Sequence, residues 1–157
     1  MKEGKYKNPP LLFQTQEFIK HIQRLGMGSL QKLMKSIKTE TSIERRIEKN
    51  LQTLEKYGFY LEHFEDIKEY LLDYSDMIEL IPVIANIIKS NFPDNQVVFD
   101  IYKDPEIDDR YIVIYVRSKS YNELFMKKLE DVESEFLDYL VDKKGWIQLT
   151  TDFKKFE

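Results

Sequence analysis

At 157 residues, the chain has room for one domain, or for one domain with a helical appendage. It contains no cysteine, which excludes disulfides, thiolate metal sites and cysteine nucleophiles. Its net charge of −4 is unevenly distributed, because residues 1–56 carry 12 Lys/Arg against 6 Asp/Glu and residues 57–157 carry the remaining 12 against 22. The C-terminal part should therefore repel nucleic-acid phosphates, whereas residues 1–56 could attract phosphates, an acidic partner or the acidic half itself.

Helical spacing of apolar residues dominates the N-terminal part. Residues 1–12 are predicted to form a basic tail, followed by a helix over 15–25 and a weaker one over 29–37. Thr41-Ser42-Ile43-Glu44 is typical of a capping box, so we expect another helix to begin there and to end at Gly58. Its narrow apolar stripe predicts a partner surface, either within the chain or on another subunit. The stripe consists of Ile43, Ile47, Leu51 and Leu54.

The rest of the chain alternates helices and strands. A helix is predicted over 60–74, and a very apolar one, capped by Asp76, over 77–92. Because of Pro82, this second helix should either begin late, near Leu80, or kink. Two strands follow, joined by an acidic link with turn chemistry that predicts an antiparallel hairpin. A capping box at 120–123 then predicts a helix that runs to about Gly145 and precedes a last strand.

This order, α-β-β-α-β, predicts an α+β fold in which N-terminal helices precede a domain with a three-stranded sheet. The expected parts are a basic helical segment, 1–58, and an acidic α+β domain, 59–157. The start of the chain lacks a secretory signal, and the most apolar segment, 78–88, is about half of a bilayer span. We therefore expect a cytoplasmic protein without a membrane span, and no motif predicts a cofactor.

Period two along the strands 97–103, 111–117 and 146–153 predicts an aliphatic face and a second face that is aromatic and polar. The aliphatic face holds Phe99, Ile101, Ile112, Ile114, Val116, Ile147 and Leu149. The second face holds Tyr102, Tyr111, Tyr115, Arg117, Trp146 and Gln148. Tyrosine, tryptophan and arginine are enriched in protein interfaces, so these six residues are the predicted partner-binding set. The alternative is that the chain's own N-terminal helices cover this face.

A metal-dependent nuclease or phosphodiesterase of the restriction-endonuclease type is the enzyme hypothesis. The core of such enzymes has the same order of elements: a helix, a strand hairpin, a helix and a strand. Their acidic residues and a lysine converge on Mg²⁺ and on the phosphate that is attacked. Here Asp100, Lys103 and Asp104 are the candidate catalytic residues, but the second strand offers Val116 and Arg117 where an acid is required. The alternative for this acidic link is a solvated turn.

The chain's two histidines, His21 and His63, give a weak metal signal. His63 and Asp66 have helical i, i+3 spacing, but surface or half-buried histidines are commoner than ligands, and we predict no metal site. Arg45, Arg46 and Lys49 are the basic side chains through which the N-terminal arm could contact DNA or a second subunit.

Four short segments carry a resemblance: DPEIDD at 104–109, YVR at 115–117, GW at 145–146 and LTTDF at 149–153. Through them, residues 70–153 resemble a family of small, functionally uncharacterised prokaryotic proteins. The resemblance transfers no activity; it implies that this half of the chain folds as a unit.

The sequence thus favours a non-catalytic protein-interaction or regulatory module, which binds a protein partner or forms a homo-oligomer through the aromatic face. An acidic, cysteine-free domain with a basic helical arm is compatible with antitoxin-like or immunity-like proteins. In such a protein the acidic domain would mask a basic toxin. Nucleic acid would bind only through residues 1–56.

Overall fold

The computed structural model describes Lys20 and residues 27–155. The chain divides into two units, residues 1–42 and residues 43–157. Helix α1 (Met27–Lys56) begins in the first unit and ends in the second. The predicted basic tail and the helix over 15–25 fall in the part of the chain outside this description, apart from the helical Lys20.

Helix α1 corrects two predictions. The segment 29–37 is continuous with the helix predicted to begin at Thr41, so the capping box does not form. Inside a helix the Thr41 hydroxyl has no free amide to cap, and it donates instead to the Ile37 carbonyl at 3.0 Å. The end of the helix is as predicted, because Gly58 follows it with a φ of 92° that glycine adopts readily.

The second unit has the predicted α+β architecture, with four strands instead of three. After α1 it contains β1 (Tyr60–Leu61), α2 (Phe64–Asp73), a 3₁₀ turn (Ser75–Met77), α3 (Leu80–Asn91), β2 (Gln96–Lys103), β3 (Arg110–Arg117), α4 (Glu123–Leu140) and β4 (Ile147–Thr150). The late start of α3 near Leu80 is confirmed, with Pro82 in its first turn. Asp76 does not cap this helix; its carboxylate accepts the Lys144 amide at 2.8 Å. Helix α4 is capped by Asn122, not by the predicted Ser120.

The sheet has the strand order β1-β2-β3-β4. The predicted antiparallel hairpin of β2 and β3 is confirmed, and β1 and β4 pair in parallel with β2 and β3 respectively. The prediction of a helix over 60–74 was wrong at its start, because residues 60–61 pair with β2. Two left-handed residues, Gly58 and His63, flank this short strand and separate it from the helices on either side.

The helices pack on the aliphatic face of the sheet. One hydrophobic cluster joins that face to buried residues of α2, α3, α4 and the end of α1. Ile47, Leu51 and Leu54 belong to it, so the partner surface predicted for the α1 stripe lies within the second unit. Across Lys20 and residues 27–155, no helix combines the length and the apolar character that a membrane span requires.

Candidate functional site

The opposite face of the sheet, here called the open face, carries all six predicted partner-binding residues. It comprises Tyr60, Gln96, Val98, Asp100, Tyr102, Tyr111, Val113, Tyr115, Arg117, Trp146, Gln148 and Thr150. The register places Tyr102 opposite Tyr111 and Tyr115 between Val98 and Thr150. The predicted grouping of the tyrosines on one side of the sheet is therefore confirmed, whereas their role in binding stays a prediction.

Exposed aromatic side chains run across this face. Tyr60 on β1 is 56 % exposed, Tyr102 on β2 is 38 % exposed and Trp146, just before β4, is 45 % exposed. The Tyr102 and Tyr111 rings stack with their centroids 4.9 Å apart. Because large exposed rings are costly to leave in water, a face that displays several of them is typical of a contact surface.

The open face also has apolar residues on its two central strands. Val98 and Val113 are buried although they do not belong to the cluster under the helices. Tyr115 lies directly across from Val98 and is itself half-buried. Burial, together with the nearby charges of Asp100 and Asp152, raises the pKa of the Tyr115 phenol, which therefore stays protonated at neutral pH. The open face thus has a small apolar centre of its own.

Arg117 ties several polar groups to one end of the open face. Its guanidinium donates to both carboxylate oxygens of Asp152, at 2.8 and 3.2 Å, and to Gln96 at 3.2 Å and Glu62 at 3.4 Å. The side chain is 12 % exposed. Burial opposes ionisation of Asp152, but the hydrogen bond from Arg117 prevails and lowers the pKa of this carboxyl. Arg117 therefore holds the surface in shape, since its donors are used within the fold.

A second cluster of polar side chains lies beside Arg117 and consists of Glu62, His63 and Asp100. Their candidate ligand atoms all fall within 4.8 Å of one another, and within the part of the chain that the structure describes they form the one such group. The His63 ring shares a hydrogen bond of 2.9 Å with Asp100, which raises the pKa of the imidazole. Two carboxylates and an imidazole could hold a divalent cation. Each carboxylate already has a protein partner, so the geometry favours an ion-pair network.

The i, i+3 spacing considered for His63 and Asp66 is not realised in the structure. His63 precedes α2 in a left-handed conformation, with a φ of 52°, and this turns its ring towards the sheet. Asp66 lies in the first turn of α2 and faces Lys103 instead, with the two charged atoms 3.7 Å apart. A helical i, i+3 relation requires both residues to be in the helix, and His63 is outside it.

The three residues of the nuclease hypothesis do not converge. Asp100 points to the open face, whereas Lys103 is an odd number of residues along the same strand and pairs with Asp66. The Asp104 carboxylate accepts the amides of Glu106 and Ile107 at 2.8 and 3.1 Å, so it shapes the turn. The expected shared site for a metal ion and a phosphate is absent at these three positions.

The three basic residues predicted as contacts of the N-terminal arm, Arg45, Arg46 and Lys49, are not equally available for a partner. Arg45 and Lys49 are exposed on α1, while Arg46 forms an ion pair with Glu79. Arg45 and Lys49 remain the candidates for contact with an acidic partner or a nucleic acid.

Sequence reasoning missed Tyr60, Glu62 and His63 as members of the site, because the residues around Tyr60 were predicted to be helical. Gly58-Phe59-Tyr60-Leu61 offered a signal, since a glycine followed by aromatic residues favours an extended segment. His63 and Asp100 are 37 residues apart, and no local pattern indicates that they pair.

No protein-family model, curated protein or solved structure matches the chain. The resemblance of residues 70–153 to a family of uncharacterised prokaryotic proteins therefore stays a prediction. A function can therefore be inferred only from the chemistry of the open face.

Proposed function

We propose that this chain is a non-catalytic protein-interaction module that binds a protein partner, or a second copy of itself, through the open face. The observation that carries the proposal is the set of exposed rings, Tyr60, Tyr102 and Trp146, on the same face of the sheet as the buried Val98 and Val113. Interfaces are enriched in such aromatic anchors and combine them with polar groups, which here are Glu62, Asp100 and Asp152.

The edges of the sheet support recognition through the face and not through strand addition. At β4 the outward amide of Leu149 donates to the Glu133 carboxylate of α4 at 2.8 Å. Beyond the end of β1, the Ile101 amide of β2 donates to the Asp100 carboxylate, also at 2.8 Å. A strand of a partner would need these amides as donors. Both are already occupied.

The charge of the face favours protein over nucleic acid. Asp100 lies on it, and the one arginine among its residues, Arg117, is neutralised by Asp152 and Glu62. Bases do stack on aromatic residues in RNA-binding sheets, but those sheets also attract the phosphate backbone. An antitoxin-like or immunity-like protein, which covers the working surface of a toxin, is the kind of module that this acidic and aromatic surface suits best.

The test replaces the exposed rings while leaving the fold intact. In one variant Tyr60, Tyr102 and Trp146 become serine; in the control Tyr57, Leu124 and Tyr139 become serine, and these side chains are 67 %, 80 % and 50 % exposed elsewhere in the unit. Both variants should retain the wild-type circular dichroism spectrum. Solution mass and quantitative capture of proteins from the native host are then compared with wild type.

We expect the open-face variant to lose a dimer or a specific captured protein that the control retains. If both variants keep the wild-type mass and the same captured proteins, the open face is not the contact surface and the proposal is wrong.

A further inference from the structure

The hairpin between β2 and β3 concentrates negative charge at one end of the open face. Its six residues, 104–109, include four acids. The two cations that flank the hairpin face α2, where Lys103 pairs with Asp66 and Arg110 pairs with Asp73. The charge of the hairpin is therefore not neutralised by the cations next to it in sequence.

Three of these acids are available for a ligand. The carboxylate of Asp104 accepts two amides of the turn, whereas Glu106, Asp108 and Asp109 are exposed. None of the three forms an ion pair with the residues that the structure describes. They lie within one turn, so their charges add up at a single place on the surface.

An aromatic platform adjoins these acids. Tyr102 and Tyr111 are the last open-face residues before the hairpin, and their rings stack at 4.9 Å with an angle of 27° between their planes. Burial, the neighbouring Tyr102, and the charges of Asp109 and Asp104 raise the pKa of Tyr111, so two acids of the turn lie close enough to act on this ring. The stack presents Tyr102, which is 38 % exposed, to solvent.

We propose that this platform binds an arginine side chain of a basic segment on the partner protein. The guanidinium stacks on Tyr102 while its N–H groups pair with the carboxylates of Asp108 and Asp109. Arginine suits the site better than lysine, because its planar group stacks on a ring and also donates two parallel hydrogen bonds to a carboxylate. This inference rests on the proposed function and adds the chemistry of the partner to it.

Synthetic peptides test the inference without knowledge of the partner. A fluorescein-labelled 12-residue peptide of alternating arginine and glycine is titrated with the full-length chain and followed by anisotropy, next to the lysine and glutamate versions and a thymidine 20-mer. We expect the arginine peptide to bind most tightly, and any binding of the glutamate peptide to the basic residues 1–56 to be unaffected by substitutions in the hairpin. Tyr102→Ala, and separately Asp108→Asn with Asp109→Asn, should weaken the arginine peptide about tenfold.

Matched controls separate this site from general attraction to an acidic surface. Tyr139→Ala removes an exposed tyrosine of α4, and Asp131→Asn with Glu135→Gln removes two exposed negative charges of the same helix. Controls that weaken binding as much as the hairpin variants would overturn the inference, as would the absence of binding. Binding of the thymidine 20-mer that is tighter than that of the arginine peptide, and that the hairpin variants weaken, would instead assign the surface to nucleic acid; binding that these variants leave unchanged belongs to the basic residues 1–56.

The proposed function and this inference can fail separately. If the serine variant of the open face loses its partner while Asp108→Asn with Asp109→Asn keeps it, the open face is the contact surface and the arginine site is wrong. If the arginine peptide binds as expected while the serine variant changes neither mass nor captured proteins, the proposed function fails and the peptide site remains.

Discussion

Arg117→Met should lower the free energy of unfolding by about 2 kcal/mol, which follows from the burial of the ion pair that this change breaks. Exposed ion pairs contribute about 0–1 kcal/mol, whereas the loss of one partner of a buried pair costs about 3–5 kcal/mol. The side chains of Arg117 and Asp152 are 12 % and 15 % exposed, so the pair is partly buried and its loss should fall between these two ranges. Methionine retains most of the apolar stem, so the loss reports mainly on the charge.

Equilibrium unfolding in urea measures this loss, and a double-mutant cycle with Asp152→Asn isolates the pair. If Arg117 and Asp152 act together, their two losses should not add, and the coupling should be about 1–2 kcal/mol. Arg45→Met is the control, because Arg45 is exposed and its replacement should change the free energy by less than about 0.5 kcal/mol. A loss at Arg117 as small as this control, or a coupling near zero, would refute the assignment of Arg117 as the anchor of the open face.

Acid should weaken the same pair. Because Arg117 lowers the pKa of Asp152 in the folded state, the stabilisation is present above the ordinary pKa of 3.8 and is lost as the pH falls through the folded value. The difference in stability between wild type and Arg117→Met should therefore be largest near neutral pH and shrink below about pH 4.

Two further changes test the surroundings of the face. Gly145→Ala should lower the free energy of unfolding by about 1–3 kcal/mol, because the new Cβ would lie 2.5 Å from Cγ of the buried Met77. In the control, Gly28→Ala, the new Cβ meets no atom within 4 Å, so thermal unfolding should show unchanged or slightly higher stability. His63→Asn, which tolerates the left-handed backbone, should lose stability at low pH. Because Asp100 raises the folded pKa of His63 above 6.5, the wild-type advantage should be full below that pH and disappear as the pH rises through the folded pKa; an advantage that grows towards alkaline pH would contradict the pairing.

The two faces of the sheet were predictable because period two depends only on neighbouring positions along a strand. Once β2 and β3 were placed, Phe99 and Ile114 had to share one face and Tyr102 and Tyr115 the other, whatever the strand order. The turn between the strands was also readable, since proline and aspartate favour it locally. The α+β architecture followed from the order of these elements.

The contacts that shape the open face were not predictable, because they join residues far apart in sequence. Asp152 is 35 residues from Arg117, and Glu62 is 55 residues from it, so their meeting depends on how β1 and the end of the chain lie against the central hairpin. Strand β1 itself has two paired residues, too few for any periodic pattern to show. The capping box predicted at Thr41 does not form for a related reason. The same four residues also fit the interior of a helix when the turn before them is helical, as it is here.

A comparison of energies explains why a partner would approach over the face. Adding a strand at β4 or beyond β1 would exchange the bond from the Leu149 amide to the Glu133 carboxylate, or from the Ile101 amide to the Asp100 carboxylate, for a bond to a neutral carbonyl. Hydrogen bonds to charged groups contribute about 1.5–3 kcal/mol and neutral ones about 0.5–1.5 kcal/mol, so each exchange costs about 1 kcal/mol. The exposed rings require no such exchange. Full burial of a large apolar side chain contributes about 1.5–3 kcal/mol, so covering the exposed part of Tyr60, Tyr102 and Trp146 contributes roughly half of that for each ring. The face gains free energy on contact, whereas the edges must first lose some.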